Sequence, residues 1–107
     1  MTLKEITDRL EALGIPTAYL KFNKPQELPF QVWYEKSAEI KGADNYNLYR
    51  ECQMIVEIYS AARDIPLESR FEAAFRDVEL EKLCAYLKDE DMHMTAYSFN
   101  IIQKYGG

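Results

Sequence analysis

Residues 48–60 read LYRECQMIVEIYS, the longest strand-like alternation in the chain. Side chains on a strand face opposite ways in turn. Leu48, Cys52, Met54, Val56 and Ile58 therefore share one side, and Tyr49, Glu51, Gln53, Ile55, Glu57 and Tyr59 share the other. One dry side and one mixed side is the pattern of a half-buried antiparallel strand. Arg50 interrupts the apolar row near its start, where a strand end reaches water. A dozen residues at roughly 3.3 Å each give about 40 Å, long for a strand in a chain of this size.

Upstream, Thr2 and Glu5 have the spacing of a capping box. Leu3, Ile6, Leu10 and Leu13 follow at helical intervals and Gly14 supplies a stop, so a helix is expected over 3–13. A short strand is expected over 17–22 (TAYLKF), then a two-proline loop over 23–29 and a strand over 30–35 (FQVWYE). On the latter, Phe30, Val32 and Tyr34 alternate with Gln31, Trp33 and Glu35. Residues 36–46 (KSAEIKGADNY) are polar and hold Gly42 and Asp44-Asn45, which reads as a long connecting loop. Its two readings are a functional loop and a surface loop of no special purpose.

Downstream, Asp64-Ile65-Pro66 opens a second helix with Leu67, Phe71, Ala74, Phe75 and Val78 as its buried stripe. Two strands, 81–88 and 94–104, close the chain around a turn at 89–92. Helix, three strands, helix and two strands imply an α+β fold: a mainly antiparallel sheet of about four to five strands, with two helices packed on one face.

At 107 residues the chain is expected to be a single domain, 1–107. An apolar share of 48% and a charged share of 29% are ordinary for a globular protein, which disfavours disorder. No run is apolar enough to span a bilayer, and the charged N-terminus is unlike a secretory signal, so cytoplasmic synthesis and no membrane partner are expected. A net charge of −5 argues against gripping phosphates.

Support for catalysis is thin. Cys52 and Cys84 fall in expected strands and read as buried reduced thiols. They form no CxxC pair, and with the lone His93 they make no zinc site. Asp89, Asp91 and His93 share a face if extended, but on a hairpin tip this reads as a solvated turn. The segment lacks the glycine and later glutamate of a calcium loop, and no phosphate loop or nucleophile elbow occurs. No catalytic residue, cofactor or metal is expected. The aromatic load is more informative: eight Tyr, five Phe and one Trp. Most belong to strands, while Trp33, Tyr49 and Tyr59 fall on mixed faces, where such residues suit protein contacts.

The order of segments resembles the tail terminator proteins of long-tailed bacteriophages, the minor tail protein U type and related prophage tail components. The likeness runs through Gly14-Ile15-Pro16-Thr17 after the first helix, then Leu28-Pro29-Phe30-Gln31-Val32-Trp33-Tyr34, similar to the family's "LPYIVY" segment. It continues with Gly42-Ala43-Asp44-Asn45, with Val56-Glu57-Ile58-Tyr59, similar to "VQIELYT", and with a final hairpin and strand bearing Tyr97 and Phe99. The resemblance implies a virion structural protein, made in the bacterial cytoplasm, that assembles as a ring of about six copies on the tail tube. It implies the tube protein and a head-completion protein as partners, with DNA passing through an acidic lumen without specific binding. By the same resemblance, Glu39, Lys41, Asp44 and Tyr46 in the 36–47 loop are candidate contacts, with Glu51 and Glu57 on the long strand serving a subunit interface. A head-closure or head–tail connector and a small ligand-binding α+β domain, with His93 and Cys84 as its first suspects, are the competing readings.

Overall fold

The computed structural model describes residues 1–43 and 46–104, apart from the side chains of Ala43 and residues 46–48. Its elements are α1 (Leu3–Glu11), β1 (Thr17–Tyr19), β2 (Phe30–Ala43), β3 (Tyr46–Ser60), α2 (Ile65–Ala74), β4 (Glu81–Leu87) and β5 (Met92–Lys104). The strands form one sheet in the order β1-β2-β3-β5-β4, parallel between β1 and β2 and antiparallel elsewhere. The fold is α+β, as expected.

β3 lies at the centre of the sheet. Its dry row, Cys52, Met54, Val56 and Ile58, is buried beneath both helices together with Tyr97, Phe99 and Ile101 of β5. The side chain of Leu48, assigned to the same row, lies outside the described residues. From α1 come Ile6 and Leu10, with Leu13 just beyond it; from α2 come Leu67 and Phe71, with Phe75 at its C-cap. Leu3, expected in the α1 stripe, is exposed, because it sits in the first turn beyond the reach of the sheet. Phe71 stacks on Tyr97 with ring centroids 4.1 Å apart, and Phe75 meets Phe99 at 5.3 Å.

Both helices are capped as their sequences require. The Thr2 hydroxyl accepts from Glu5 N at 3.1 Å, and Asp64 accepts from Leu67 N at 3.0 Å. Gly14, at φ +79°, ends the α1 segment in the left-handed region that glycine enters without strain. The helix C-terminal ends are tied to each other. Arg9 of α1 donates to the carbonyl of Ala74 at 3.0 Å, and Arg70 of α2 donates to the carbonyl of Leu13. Each cation thus meets the negative end of the neighbouring helical segment.

Three sequence expectations are corrected. Residues 36–43 are not a loop but the outer half of β2, paired with β3 as far as Ala43↔Tyr46. The alternation there was masked by a bulge between Glu35 and Ser37, which inserts one residue and reverses which side chains face which way. Trp33 does not lie on a contact face: it is buried under the helices beside fully buried Gln31. Gln31 donates its amide to Leu10 O at 3.0 Å and to Thr17 Oγ1 at 2.8 Å, so a polar residue earns a core position by capping α1. Cys84 is exposed on β4 rather than buried, since β4 is an edge strand whose side chains reach beyond the helices.

The long β2–β3 pair gives the molecule an arm. Its extents are 51 × 26 × 21 Å and its radius of gyration is 15.4 Å, against about 13 Å for a compact chain of this length. Replacing Arg9 with Ala is expected to lower unfolding free energy by about 1–2 kcal/mol, read by urea denaturation, through loss of the helix-end contact.

Candidate interaction surface

Because the helices cover one side of the sheet, the other side is open. Register places Phe30, Val32 and Tyr34 of β2 on it, beside Ile55, Glu57 and Tyr59 of β3 and Met94, Ala96 and Ser98 of β5. Leu83 and Glu81 of β4 complete it at the far edge. Beyond the bulge the same side carries Ser37, Glu39 and Lys41, opposite Gln53, Glu51 and Tyr49. The open side is therefore apolar and aromatic over the body and polar along the arm.

Of the six candidate residues, Glu39, Lys41 and Glu51 come together on the arm. Lys41 pairs with Glu39 at 2.8 Å, which holds the Glu39 carboxyl low and the Lys41 ammonium high. Glu39 also lies directly opposite Glu51, a like-charge pairing that a sheet disfavours. Glu57 stands apart, six residues or about 20 Å along β3. It accepts from Tyr34 at 3.0 Å and from Tyr59 at 2.8 Å. Burial first, and then these bonds, push both phenols up. Asp44 and the side chain of Tyr46 lie outside the described residues.

Sequence reasoning missed two features of this side. A groove of about 260 Å³ beside Glu39 and Glu51 is completed by Ser37, Gln53 and Asn100. The alternation of Ser98 and Asn100 with buried Phe99 was a usable signal for it. A larger groove of about 520 Å³ lies at the β1 end, floored by Phe30, Val32, Glu57 and Tyr59 and walled by the 20–26 loop. Phe30 stacks on Tyr59 at 5.1 Å, and Phe22 meets Phe30 edge-on at 5.7 Å. Nothing in the local pattern of that loop announces that it folds against the sheet.

On the helix side, an ionic cluster joins α2 to β4. Lys82 lies 2.7 Å from Glu68 and 2.8 Å from Glu72, and Arg63 is 3.3 Å from Glu68. Tyr97 donates to Glu72 at 2.7 Å. Burial alone would raise the Glu68 carboxyl, but the bonds from Lys82 and Arg63 outweigh it and hold the group below its usual value. Lys82 and Tyr97 do the same for Glu72. His93, half-buried, has Nε2 3.1 Å from Thr95 Oγ1, and Cys84 faces Thr95 across the ladder. Asp91 accepts from Tyr86. Among the described residues no three His, Cys, Asp or Glu side chains converge as metal ligands. Burial, and then Glu35, push the Cys52 thiol up, away from reactivity.

No protein-family profile and no curated protein matches this chain. Among solved structures it is similar to a chain in "Virion of native gene transfer agent (GTA) particle", with a TM-score of 0.54 and 12% identity. The match covers 89% of this chain and 84% of that chain. At this identity the likeness is one of fold.

Glu68 and Glu72 make acid stability predictable. Their folded-state values lie below 4.5, so the unfolded chain binds more protons as pH falls. The stabilisation is complete above about pH 4.5 and is lost as pH drops through the folded values. Glu68→Gln is expected to cost about 2 kcal/mol at neutral pH, below the range for a fully buried pair because its partners keep contact with water. It should also flatten the acid limb of a urea-midpoint against pH profile.

Proposed function

We propose that this chain is a virion structural protein, a tail terminator that closes the head-proximal end of a phage-like tail tube as a ring. The observation that carries the reading is the shared fold, over 89% of this chain, with a chain from a gene transfer agent virion. The order of sequence segments described above supports the finer assignment. An arm projecting from a helix-covered body supports it too, because ring subunits need extended surfaces that reach neighbours. The net charge of −5 suits a channel that lets DNA pass without holding it.

In this reading the ring numbers about six copies, the tube protein and a head-completion protein are its partners, and the site of action is the virion tail. The role is structural, with no residue assigned to catalysis and no cofactor. Glu39 and Lys41 on the arm are its contacts with the tube or a neighbouring ring, with Asp44 and Tyr46 beside them in sequence, and Glu51 and Glu57 serve the subunit interface. The fold likeness to a virion chain equally supports a second reading, a head-closure or head–tail connector, which binds the portal side instead. A ligand-binding domain centred on Cys84 and His93 has less behind it, since neither residue lines the grooves of the open side.

Light scattering over a wide concentration range, with negative-stain images, is the test. Rings that bind the ends of purified tail tubes are the expected result, and rings that bind portal complexes alone would favour the connector. A stable compact dimer, or a monomer unmoved by added tubes, would overturn the ring.

A further inference from the structure

A ring built from one kind of subunit needs two different surfaces on each copy, placed on opposite sides so that each copy meets the next head to tail. The sheet order puts β1 at one edge and β4 at the other, and exposed charges of opposite sign lie near the two. At the β1 edge, the large groove is bordered by Leu20, Lys21, Phe22 and Lys24 and floored by Phe30 and Val32. At the β4 edge, Glu81 shares the open side with Leu83, which is 63% exposed, and Glu79 lines a groove with Glu81.

Some of the chain's charges are internally paired, as Lys4 is with Asp8, Arg9 with Asp77, and Lys82 with Glu68 and Glu72. Lys21, Lys24, Glu79 and Glu81 are exposed, and none has an ion-pair partner among the described residues. Glu57 also lines the groove, but its carboxylate is held by two tyrosine hydroxyls. The cations of the groove are thus left for an outside acid, and the half-buried Phe30 ring, beside buried Val32, for an outside apolar side chain.

We propose that the β1-edge groove of one copy receives the β4 edge of a second copy, with Leu83 over the half-buried Phe30 ring and with Glu79 and Glu81 meeting Lys21 and Lys24. The inference rests on the ring reading and supplies the contact that propagates the ring. An apolar anchor ringed by complementary charge has the anatomy of a specific interface. Its occupant is a second copy because the complementary patch lies on this same chain, at the opposite edge of the same sheet.

Charge reversal tests the pairing on the full chain. One variant carries Lys21→Glu and Lys24→Glu; the other carries Glu79→Lys and Glu81→Lys. All four sites are exposed and unpaired, so both variants should fold with wild-type circular dichroism and urea midpoints. Each alone should drop from ring mass to the single-chain mass of 12.5 kDa. Mixed in equal amounts they should reassemble, because the acidic edge of the first fits the basic groove of the second and the basic edge of the second fits the acidic groove of the first. Raising salt to about 1 M, where screening shortens to about 3 Å, should weaken wild-type rings. Wild-type rings that persist in both variants would overturn this contact and leave the ring standing. Failure of two folded variants to reassemble on mixing would overturn it as well. A wild type that forms no ring, even on tubes, would remove the ring reading and this contact with it.

Discussion

The register of β3 is the constraint on which the rest of the structure depends. A strand at the centre of a five-stranded sheet has both edges occupied, so its side chains are sorted between two environments by parity alone. Cys52, Met54, Val56 and Ile58 are buried under the helices, while Glu51, Gln53, Ile55 and Glu57 reach the open side. Sliding the strand by one residue would put two carboxylates beneath Phe71 and Phe75 and expose the whole apolar row. That penalty far exceeds anything the turns or surface ion pairs contribute, and it fixes the neighbours β2 and β5 in turn.

The helices are held to this surface by polar contacts that complete what apolar burial begins. Short helices are marginal alone, and here each has its C-terminal end answered by the other through Arg9 and Arg70. Gln31 adds a third tie, from beneath, to the Leu10 carbonyl. Glu68 then anchors α2 to β4 through Lys82, which brings the edge strand into the structure even though its own side chains are mostly exposed. The helix side is consumed by stability, and the open side is free for contacts.

That division rests on a change of side partway along β2. The bulge at Glu35/Ser37 changes parity midway along β2, so inner β2 sends Trp33 to the core while outer β2 sends Glu39 and Lys41 to the open side. A strand can thus pack tightly near the body and present charge near its end. The directly opposed Glu39 and Glu51 give the arm a local negative charge that Lys41 offsets in part.

Much of this was legible in the sequence wherever one strong local pattern had a single physical solution. The β3 alternation, the Thr2 and Asp64 caps, the Gly14 stop and the apolar positions of α2 fixed the α+β class and the element order, because capping and periodicity act over a few residues. The sequence also marked Glu39, Lys41, Glu51 and Glu57 as polar positions near the long strand, though it read the first two as loop. Only the tertiary structure decided which side of β2 faces the helices. Phe30, Val32 and Tyr34 look like a core row, yet Gln31 and Trp33 face the helices, where Gln31 donates to the Leu10 carbonyl, and Val32 is buried on the side away from them. The bulge, the groove under the 20–26 loop and the burial of Glu68 likewise depend on residues distant in the chain. Their energies come from partners that no local window contains, which is why the fold could be read along the sequence and the make-up of its open side could not.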